Sequence, residues 1–402
     1  IALDPDAPYP YYAIGAMYIY NSPYRTDSVE LWCRRAIERA PGWIAPALDI
    51  SFEYKVCQSN TDIAEKWLLE AERVLPNSYL VLERKAWLRQ AQGRRDDAVE
   101  LCQRMIALKP DLFNGYATLG KTLLIMDGDF AETERQAGKS IERNPDYSNW
   151  SYTDLGVSMI ALRRVDEGIE LLKKSAETHE EFNKGERLAY LLDGYGRIGK
   201  FGQAEQCARQ IATANAAPPT QAFALFNLGK IRVRQNHLPE AIALFEQSLA
   251  ADPTPNALFI LDRAWLGEVA RLKDNAVEAE SLFQKALAYS SGLVWEDMAA
   301  KDEAHYLYGN FLLRQNRLTE AREQFQKSLD IRKKGFLGEY GFALLAARQG
   351  KTREALDWLE RSLDNYFPEA QPILQEPLLK KLRETKRFRE LMAKHFPATA
   401  KQ

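Results

Sequence analysis

Residues 226–249 read FNLGKIRVRQNHLPEAIALFEQSL, and the spacing of their small and large side chains indicates how the chain folds. Its small residues keep fixed distances, since Gly229 lies twelve positions before Ala241 and Ser248 lies seven positions after it. The large Phe245 stands four positions after Ala241. Small side chains allow two helices to approach closely, and a large side chain fills the space that remains. The stretch therefore predicts two helices that pack against each other as a hairpin.

The same pattern recurs along most of the chain. Residues 308–329, YGNFLLRQNRLTEAREQFQKSL, repeat all of these offsets around Ala321. Ten residues, which we call the anchors, take the position of Ala241: Val29, Ala64, Ala98, Thr133, Gly168, Ala204, Ala241, Ala279, Ala321 and Ala355. They lie 34 to 38 residues apart, except for one interval of 42. A period near 34 is typical of helix–turn–helix repeats.

Prolines mark where these repeats end. Five of them stand twelve positions after an anchor: Pro41, Pro76, Pro110, Pro145 and Pro253. Because proline cannot continue a helix, each of them predicts the end of a second helix.

The stretches 226–249 and 308–329 resemble tetratricopeptide repeats, and the resemblance covers roughly residues 8–368. It implies an all-α fold, a right-handed superhelical solenoid of about ten hairpins with a C-terminal capping helix. The hairpins are expected at 8–41, 43–76, 79–110, 112–145, 149–180, 185–217, 222–253, 260–291, 302–333 and 336–368. Residues 1–7 begin IALDP, much like the hairpin end IALKP at 106–110, so we expect them to end a preceding, truncated repeat.

Two segments depart from the pattern. The fourth hairpin carries a one-residue insertion near residues 126–129, and residues 369–402 form the predicted capping helix and tail. Lys and Arg outnumber Glu from residue 373 onward. Terminal repeats need a cap with a polar outer face, so the basic residues are interpreted as a solvated cap face. Docking of an acidic partner on that face is the alternative.

Composition narrows the class of partner. Across 402 residues, 54 Lys and Arg balance 56 Asp and Glu, for a net charge of −2. This balance argues against a general nucleic-acid or membrane-surface binder, so we expect no nucleic-acid partner for this segment. No apolar run is long enough to span a bilayer and no signal peptide is visible, so we expect a cytoplasmic protein. Four cysteines are expected to be small core residues: Cys33, Cys57, Cys102 and Cys207.

The search for catalytic chemistry gives no site. The four histidines show no metal-binding spacing. Gly194, Gly196 and Gly199 resemble a nucleotide-binding loop, but they lie inside a helical hairpin with no preceding strand. We therefore expect a non-catalytic protein with no metal and no cofactor.

The resemblance implies that the first helix of each hairpin lines a concave groove. On that face we predict a peptide-binding site: Arg197, Phe226, Asn227, Lys230, Arg234, Arg271, Tyr306, Asn310, Arg314, Tyr340 and Arg348. Guanidinium groups suit carboxylates and asparagine can bond a peptide backbone both ways, so the expected ligand is an extended or C-terminal peptide of acidic character. The alternative is that each arginine is merely exposed at a helix end. The same face of the earlier hairpins is less basic: Glu83, Trp87, Lys121, Trp150 and Asp193.

Two functions follow from these observations. The first is a non-catalytic scaffold that captures a peptide or helix of a partner protein in its groove. The second is a regulatory or substrate-selecting arm of a larger enzyme or transcription regulator, whose effector domain would lie upstream. The sequence leaves the oligomeric state open.

Overall fold

The computed structural model is helical throughout the residues that it describes. These are residues 4–21, 26–57, 60–146, 149–177, 181–213, 216, 218–252, 257–288, 297–332, 334–367 and 370–397. The opening residues 1–3 and Pro253 lie outside them, so the predictions made there stay predictions. The described residues contain no strand and no helix that is long and apolar enough to cross a membrane. The expected all-α class is confirmed.

The chain divides into two compact units, residues 1–122 and 123–402. The first unit contains seven described helices: α1 (Pro8–Asn21), α2 (Thr26–Arg39), α3 (Ala45–Cys57), α4 (Thr61–Val74), α5 (Tyr79–Ala91), α6 (Arg95–Leu108) and α7 (Asn114–Thr122). The first six pack as three successive pairs, and α7 packs on α5 and α6. The first unit is therefore a short stack of hairpins.

The second unit begins with a π-helical turn, Leu123–Asp127, followed by α8 (Phe130–Arg143). The predicted insertion near residues 126–129 thus coincides with a widened helical turn, which is how a helix accommodates an extra residue. Twelve further helices pack as six pairs: α9 (Ser151–Ala161), α10 (Val165–Ala176), α11 (Glu181–Arg197), α12 (Phe201–Thr213), α13 (Pro218–Arg234), α14 (Leu238–Ala251), α15 (Ala257–Leu272), α16 (Ala276–Ala288), α17 (Asp297–Arg314), α18 (Leu318–Ile331), α19 (Phe336–Arg348) and α20 (Thr352–Asp364). The two helices of the predicted hairpin 112–145 therefore belong to different units.

The anchors pack as their spacing predicts. Ala241 and Phe245 are fully buried. A Cβ atom on Gly229 would lie 2.5 Å from the Phe245 ring, so only glycine leaves room for that ring. Burying a phenylalanine side chain contributes about 1.5–3 kcal/mol, and this contribution recurs from hairpin to hairpin. The small and large residues thus explain why successive helices stack.

A second regularity lies in the turn between the two helices of a hairpin. Five positions before eight of the anchors, the backbone adopts the left-handed conformation, with φ between 58° and 75°: Gly93, Gly128, Arg163, Gly199, Asn236, Asp274, Asn316 and Gly350. Glycine, asparagine and aspartate tolerate this conformation at little cost. Arg163 departs from that rule.

The C-terminal cap consists of α21 (Ala370–Gln375), a 3₁₀ turn (Pro377–Leu379), α22 (Lys380–Arg383) and α23 (Lys386–His395). Its basic side chains reach α20. Arg387 lies 2.6 Å from both Asp357 and Glu360, and Lys394 lies 3.1 Å from Asp364. Part of the basic character of the cap therefore serves to attach it to the last hairpin.

Candidate functional site

The predicted groove arginines all belong to the second unit. Each stands at or next to the C-terminal end of a first helix: Arg197 on α11, Arg234 on α13, Arg271 on α15, Arg314 on α17 and Arg348 on α19. A cation is favoured at this end of a helix because the helix dipole leaves partial negative charge there. The structure separates these residues into two groups.

The first group surrounds Asp193. The Nε atom of Arg197 lies 2.6 Å from one carboxylate oxygen of Asp193, and the Nζ atom of Lys230 lies 3.4 Å from the other. Burial alone would raise the pKa of Asp193, but the charges of Arg197 and Lys230 hold it well below its usual range. Arg234 donates to the carbonyl oxygen of Gly196 at 2.8 Å. These cations are therefore already bound within the chain.

The second group forms a cleft of about 380 Å³, which we call the arginine cleft. Arg271, Arg314 and Arg348 line it together with apolar and polar neighbours: Asp274, Ala276, Phe311, Leu313, Gln315 and Leu378. Three successive hairpins thus bring their guanidinium groups to one cavity. Leu378 comes from the 3₁₀ turn of the cap, so the cap contributes a wall of the cleft.

The three arginines differ in what they bind. Arg271 forms a bidentate pair with Glu268, at 2.6 and 2.7 Å, and both side chains are largely buried. Arg314 donates to Glu376 of the cap at 2.8 Å. Arg348 is exposed, and among the described residues none forms a hydrogen bond or an ion pair with its side chain. The cleft therefore contains two partly neutralised cations and one that is available.

Glu376 is firmly held. One of its carboxylate oxygens accepts from the backbone N–H of Leu378 at 3.1 Å, which caps the 3₁₀ turn. Its carbonyl oxygen accepts from Arg383 at 2.8 Å. The remaining carboxylate oxygen is the partner of Arg314. The cap thus presents an acidic side chain to the same arginine for which an acidic ligand was predicted.

The aromatic residues predicted for the groove lie in the packing between helices. Phe226 is 1% exposed and packs 5.9 Å from Phe245, while Tyr340 is 2% exposed and packs 4.5 Å from Phe367. Tyr306 is partly buried, 6.2 Å from Tyr340. The rings of Phe226 and Tyr340 therefore pack inside the repeat and do not face a groove.

The two predicted asparagines are buried as well. Asn227 is 2% exposed and donates to the carbonyl oxygen of Phe223 at 3.0 Å, while Asn310 is 7% exposed. Neither side chain is placed to bond the backbone of a peptide on the surface. The predicted residues that the structure brings together around one cavity are therefore Arg271, Arg314 and Arg348.

The corresponding face of the first unit has a different character. Glu83 is buried, and its carboxylate accepts from Asn114 at 3.1 Å. The guanidinium group of Arg84 lies 5.2 Å from the centre of the Phe52 ring and 4.4 Å from the centre of the Trp87 ring, and these two rings meet edge to face. A buried carboxylate and a cation in contact with aromatic rings thus lie on a first helix in this unit.

Sequence reasoning missed the acidic partners. Glu268 and Asp193 stand three and four positions before Arg271 and Arg197, a spacing that places opposite charges side by side on a helix. That signal could have identified both pairs. Glu376 is 62 residues from Arg314, and no local pattern connects them.

Within the described parts of the chain, no three His, Cys, Asp or Glu side chains are grouped to hold a metal ion. Gly194 and Gly196 lie in α11, and Gly199 forms the turn after it, so these glycines are part of a hairpin. Cys33, Cys102 and Cys207 are buried thiols, as expected.

Models of the tetratricopeptide repeat match residues 81–115, 222–255 and 278–335. No curated protein matches the chain by sequence. The fold is similar to that of the human IFIT1 dimer with PPP-AAAA, at 14% identity and a TM-score of 0.53, covering 90% of this chain and 94% of that one. It is also similar to the APC/C hetero-tetramer Cut9–Hcn1, at 15% identity and a TM-score of 0.52, covering 92% of this chain and 76% of that one.

Stacked hairpins of this kind define a helical-repeat protein of the solenoid class. With repeat models matched in both of its units, the chain is a tetratricopeptide repeat protein. At these identities the structural likeness shows the fold alone. The ligand in the IFIT1 structure therefore assigns nothing here, and the expected absence of a nucleic-acid partner stays a prediction. Tetratricopeptide repeats imply interaction with other proteins, and no enzyme family is among the matching models.

Proposed function

We propose that this protein is an interaction scaffold whose second unit binds an acidic peptide segment of a partner protein in the arginine cleft. The observation that carries the proposal is the convergence of Arg271, Arg314 and Arg348, from three successive hairpins, on one cavity of about 380 Å³. A planar guanidinium group offers two parallel N–H donors to a carboxylate. Few, well-placed arginines can supply most of the binding energy of such a contact.

The pairing within the cleft determines how an acidic segment binds. Glu268 holds Arg271, and Glu376 holds Arg314. A ligand carboxylate first meets the exposed Arg348, and it then takes the place of Glu376 at Arg314. Binding is thus an exchange of one carboxylate for another. An exchange costs less than burying a new charge, because the guanidinium group stays paired throughout.

The test uses the full chain and a fluorescently labelled peptide with three acidic residues at its C-terminus. Two companion probes distinguish the source of the carboxylate: the same peptide as a C-terminal amide, and the peptide with glutamine in place of its acidic side chains. Binding is followed by fluorescence anisotropy at low and physiological salt, since interactions of exposed charges weaken as ionic strength rises. Circular dichroism verifies that each variant stays folded.

We expect the double variant Arg314→Ala with Arg348→Ala to bind the acidic probe at least about tenfold more weakly, a loss of about 1.4 kcal/mol. The matched control is Arg353→Ala, which removes an exposed arginine of α20 outside the cleft. Glu376→Gln is expected to bind several-fold more tightly, because the internal competitor loses its charge. Equal binding by parent and double variant would rule out the cleft as the site. Unchanged binding by Glu376→Gln alone would rule out the exchange.

A further inference from the structure

The two ends of the second unit touch. Its π-helical turn and the α9–α10 turn contact residues that lie about 200 positions later in the sequence, near the end of α18 and in the last hairpin and cap. Neighbouring hairpins of a repeat protein normally contact only each other. The long-range contacts therefore form an additional connection, which we call the clasp. It consists of two polar groups of contacts with an apolar cluster beside them.

The first polar group joins the π-helical turn to the segment after α18. Arg332 donates to the carbonyl oxygen of Leu124 at 3.0 Å, and the backbone N–H of Lys334 donates to the carbonyl oxygen of Asp127 at 3.0 Å. The Lys334 ammonium group also pairs with Asp129. Burial lowers the pKa of Arg332, while the nearby charges of Asp302 and Asp127 act in the opposite direction.

The second polar group is centred on Arg163. Its guanidinium group donates to the carbonyl oxygens of Leu363 and Phe367 at 3.1 and 3.2 Å. The same group lies 3.5 Å from a ring nitrogen of His395 and 4.6 Å from the centre of the Phe396 ring. One side chain thus holds the end of α20, the turn that follows it and the end of the cap.

An apolar cluster accompanies these contacts. Leu124, Phe130 and Ala161 pack with Phe336 and Tyr366. The rings of Phe130 and Tyr366 meet edge to face, with their centres 6.2 Å apart. The cluster therefore adds apolar contacts between the same distant parts of the second unit.

The backbone conformation of Arg163 supports a role for its side chain independently of the contacts described above. Its φ of 66° is left-handed, and the equivalent position in the seven other described turns of this kind holds glycine, asparagine or aspartate. A long side chain in this conformation costs of order 1 kcal/mol or more. The hairpin would fold more easily with glycine, as four of its equivalents do. The guanidinium contacts of Arg163 give a physical reason for retaining arginine at this position.

Some polar atoms of the clasp lack hydrogen-bond partners. The Nε atoms of Arg163 and Arg332 are buried without a hydrogen-bond partner, and so is one carboxylate oxygen of Asp302, which lies 3.9 Å from Arg332. Unpaired buried polar groups are costly. These unpaired groups lower the stability of the closed state relative to a state in which water reaches them.

We propose that the clasp is a conformational device: it holds the second unit closed, and releasing Arg163 opens both polar groups together and makes the inner faces of the first helices accessible. The inference does not depend on the arginine cleft. Arg163 acts through its bonds to the last hairpin and cap, and the turn in which it lies needs only a residue that accepts a left-handed backbone. Substitutions at Arg163 that accept a left-handed backbone can therefore test the clasp without unfolding the hairpin.

The test replaces Arg163→Gly in the full chain and measures hydrogen exchange at the Lys334 amide, which belongs to the other polar group. We expect that amide to exchange at least about tenfold faster, while exchange within α9 and α10 and the circular dichroism spectrum stay unchanged. Asn236→Gly is the matched control. It changes an equivalent turn outside the clasp to glycine, and it should leave the Lys334 amide protected. Arg163→Asn provides a second variant that tolerates the backbone and lacks the guanidinium group.

Two results would overturn the proposal. If the Lys334 amide keeps its parental exchange rate in folded Arg163→Gly and Arg163→Asn, the two polar groups are not coupled. If α9 and α10 lose protection in both variants, Arg163 is required by its own hairpin. In that second case its bonds to the last hairpin would be incidental.

Discussion

The two units share one repeat pattern, but they differ in how many large hydrophobic side chains they expose. Among the described residues, eleven large hydrophobic side chains are clearly exposed; nine belong to the first unit and two to the second: Tyr9, Met17, Leu31, Leu69, Val74, Leu75, Leu80, Leu108 and Leu112, against Leu272 and Val277. The second unit has a cap on its last hairpin and the clasp between its ends. Fixed spacing of small residues is therefore enough to stack helices. Covering the hydrophobic side chains that remain exposed needs further contacts, such as those of the cap and the clasp.

The charged side chains on the first helices also differ between the two units. In the second unit the cations of the first helices are mostly paired, as Arg271 with Glu268 and Arg314 with Glu376. In the first unit Arg84 contacts the aromatic rings of Phe52 and Trp87, and Glu83 is buried. The repeat pattern fixes where these side chains stand, and it leaves their chemistry to vary from hairpin to hairpin. Matched substitutions in the two units can measure how far this difference extends.

The largest effect is expected at the position four residues after the anchor. In the second unit Phe325 is fully buried, and a Cβ atom on Gly309 would lie 2.6 Å from its ring. The smaller Cys102 takes this position in the first unit. Phe325→Ala should cost about 3–5 kcal/mol because it leaves a cavity, and Cys102→Ala about 1 kcal/mol. Hydrogen exchange of α18 and α19, compared with α5 and α6, measures both; equal losses would contradict the prediction.

A smaller effect concerns buried acids. Burial raises the pKa of Asp262 from 3.8 to about 8, and one of its carboxylate oxygens has no partner. The folded state therefore keeps a proton that the unfolded state releases, so stability falls as pH rises from about 4 to about 8. Asp262→Asn should remove this fall and stabilise the protein by about 1–3 kcal/mol above pH 8.

The matched change in the first unit is Glu83→Gln. Burial also raises the pKa of Glu83, but Asn114 donates a hydrogen bond that lowers it. The sign of the pH dependence is the same, and the gain should be smaller. Thermal unfolding followed between pH 5 and pH 9 compares the two variants. A stability of the parent that rises over this range would contradict the assignment for Asp262.

The smallest effect is expected where the cap meets α20. Arg387 pairs with Asp357 and Glu360, and its side chain is 39% exposed. Arg387→Ala should therefore cost under about 1 kcal/mol and less at high salt. In the first unit Arg89 binds Glu65 at 2.6 and 3.0 Å and is 11% exposed, so Arg89→Ala should cost more. Urea denaturation at two salt concentrations measures both, and a larger loss for Arg387 would reverse the predicted order.

Sequence patterns predicted the parts of the fold that depend on local spacing. Anchors such as Ala64 and Ala321 are fully buried, and the helix ends of Arg197, Arg314 and Arg348 lie where the repeat places them. These features follow from the helical period. The insertion near residues 126–129 could also be located, but its π-helical form could not.

The remaining features depend on partners far away in the sequence. Nothing near Arg163 or Arg332 indicates that their side chains reach residues about 200 positions away. Glu376 at Arg314 is a similar case. Phe226 was placed in the groove because the repeat put it on the first helix, yet it is buried in a core cluster with Phe245 of its own hairpin and Val269 of the next. Local patterns thus predicted the helices, whereas the tertiary contacts of their side chains could be read only from the structure.

The π-helical turn at Leu123–Asp127 has a consequence for how such chains change over time. Two of its carbonyl oxygens accept hydrogen bonds from Arg332 and from the Lys334 amide, so the widened turn supplies acceptors for a distant segment. Deleting a single residue there would restore a uniform repeat and remove those acceptors. In a modular protein, a small irregularity can thus be the feature that joins modules which the repeat itself keeps apart.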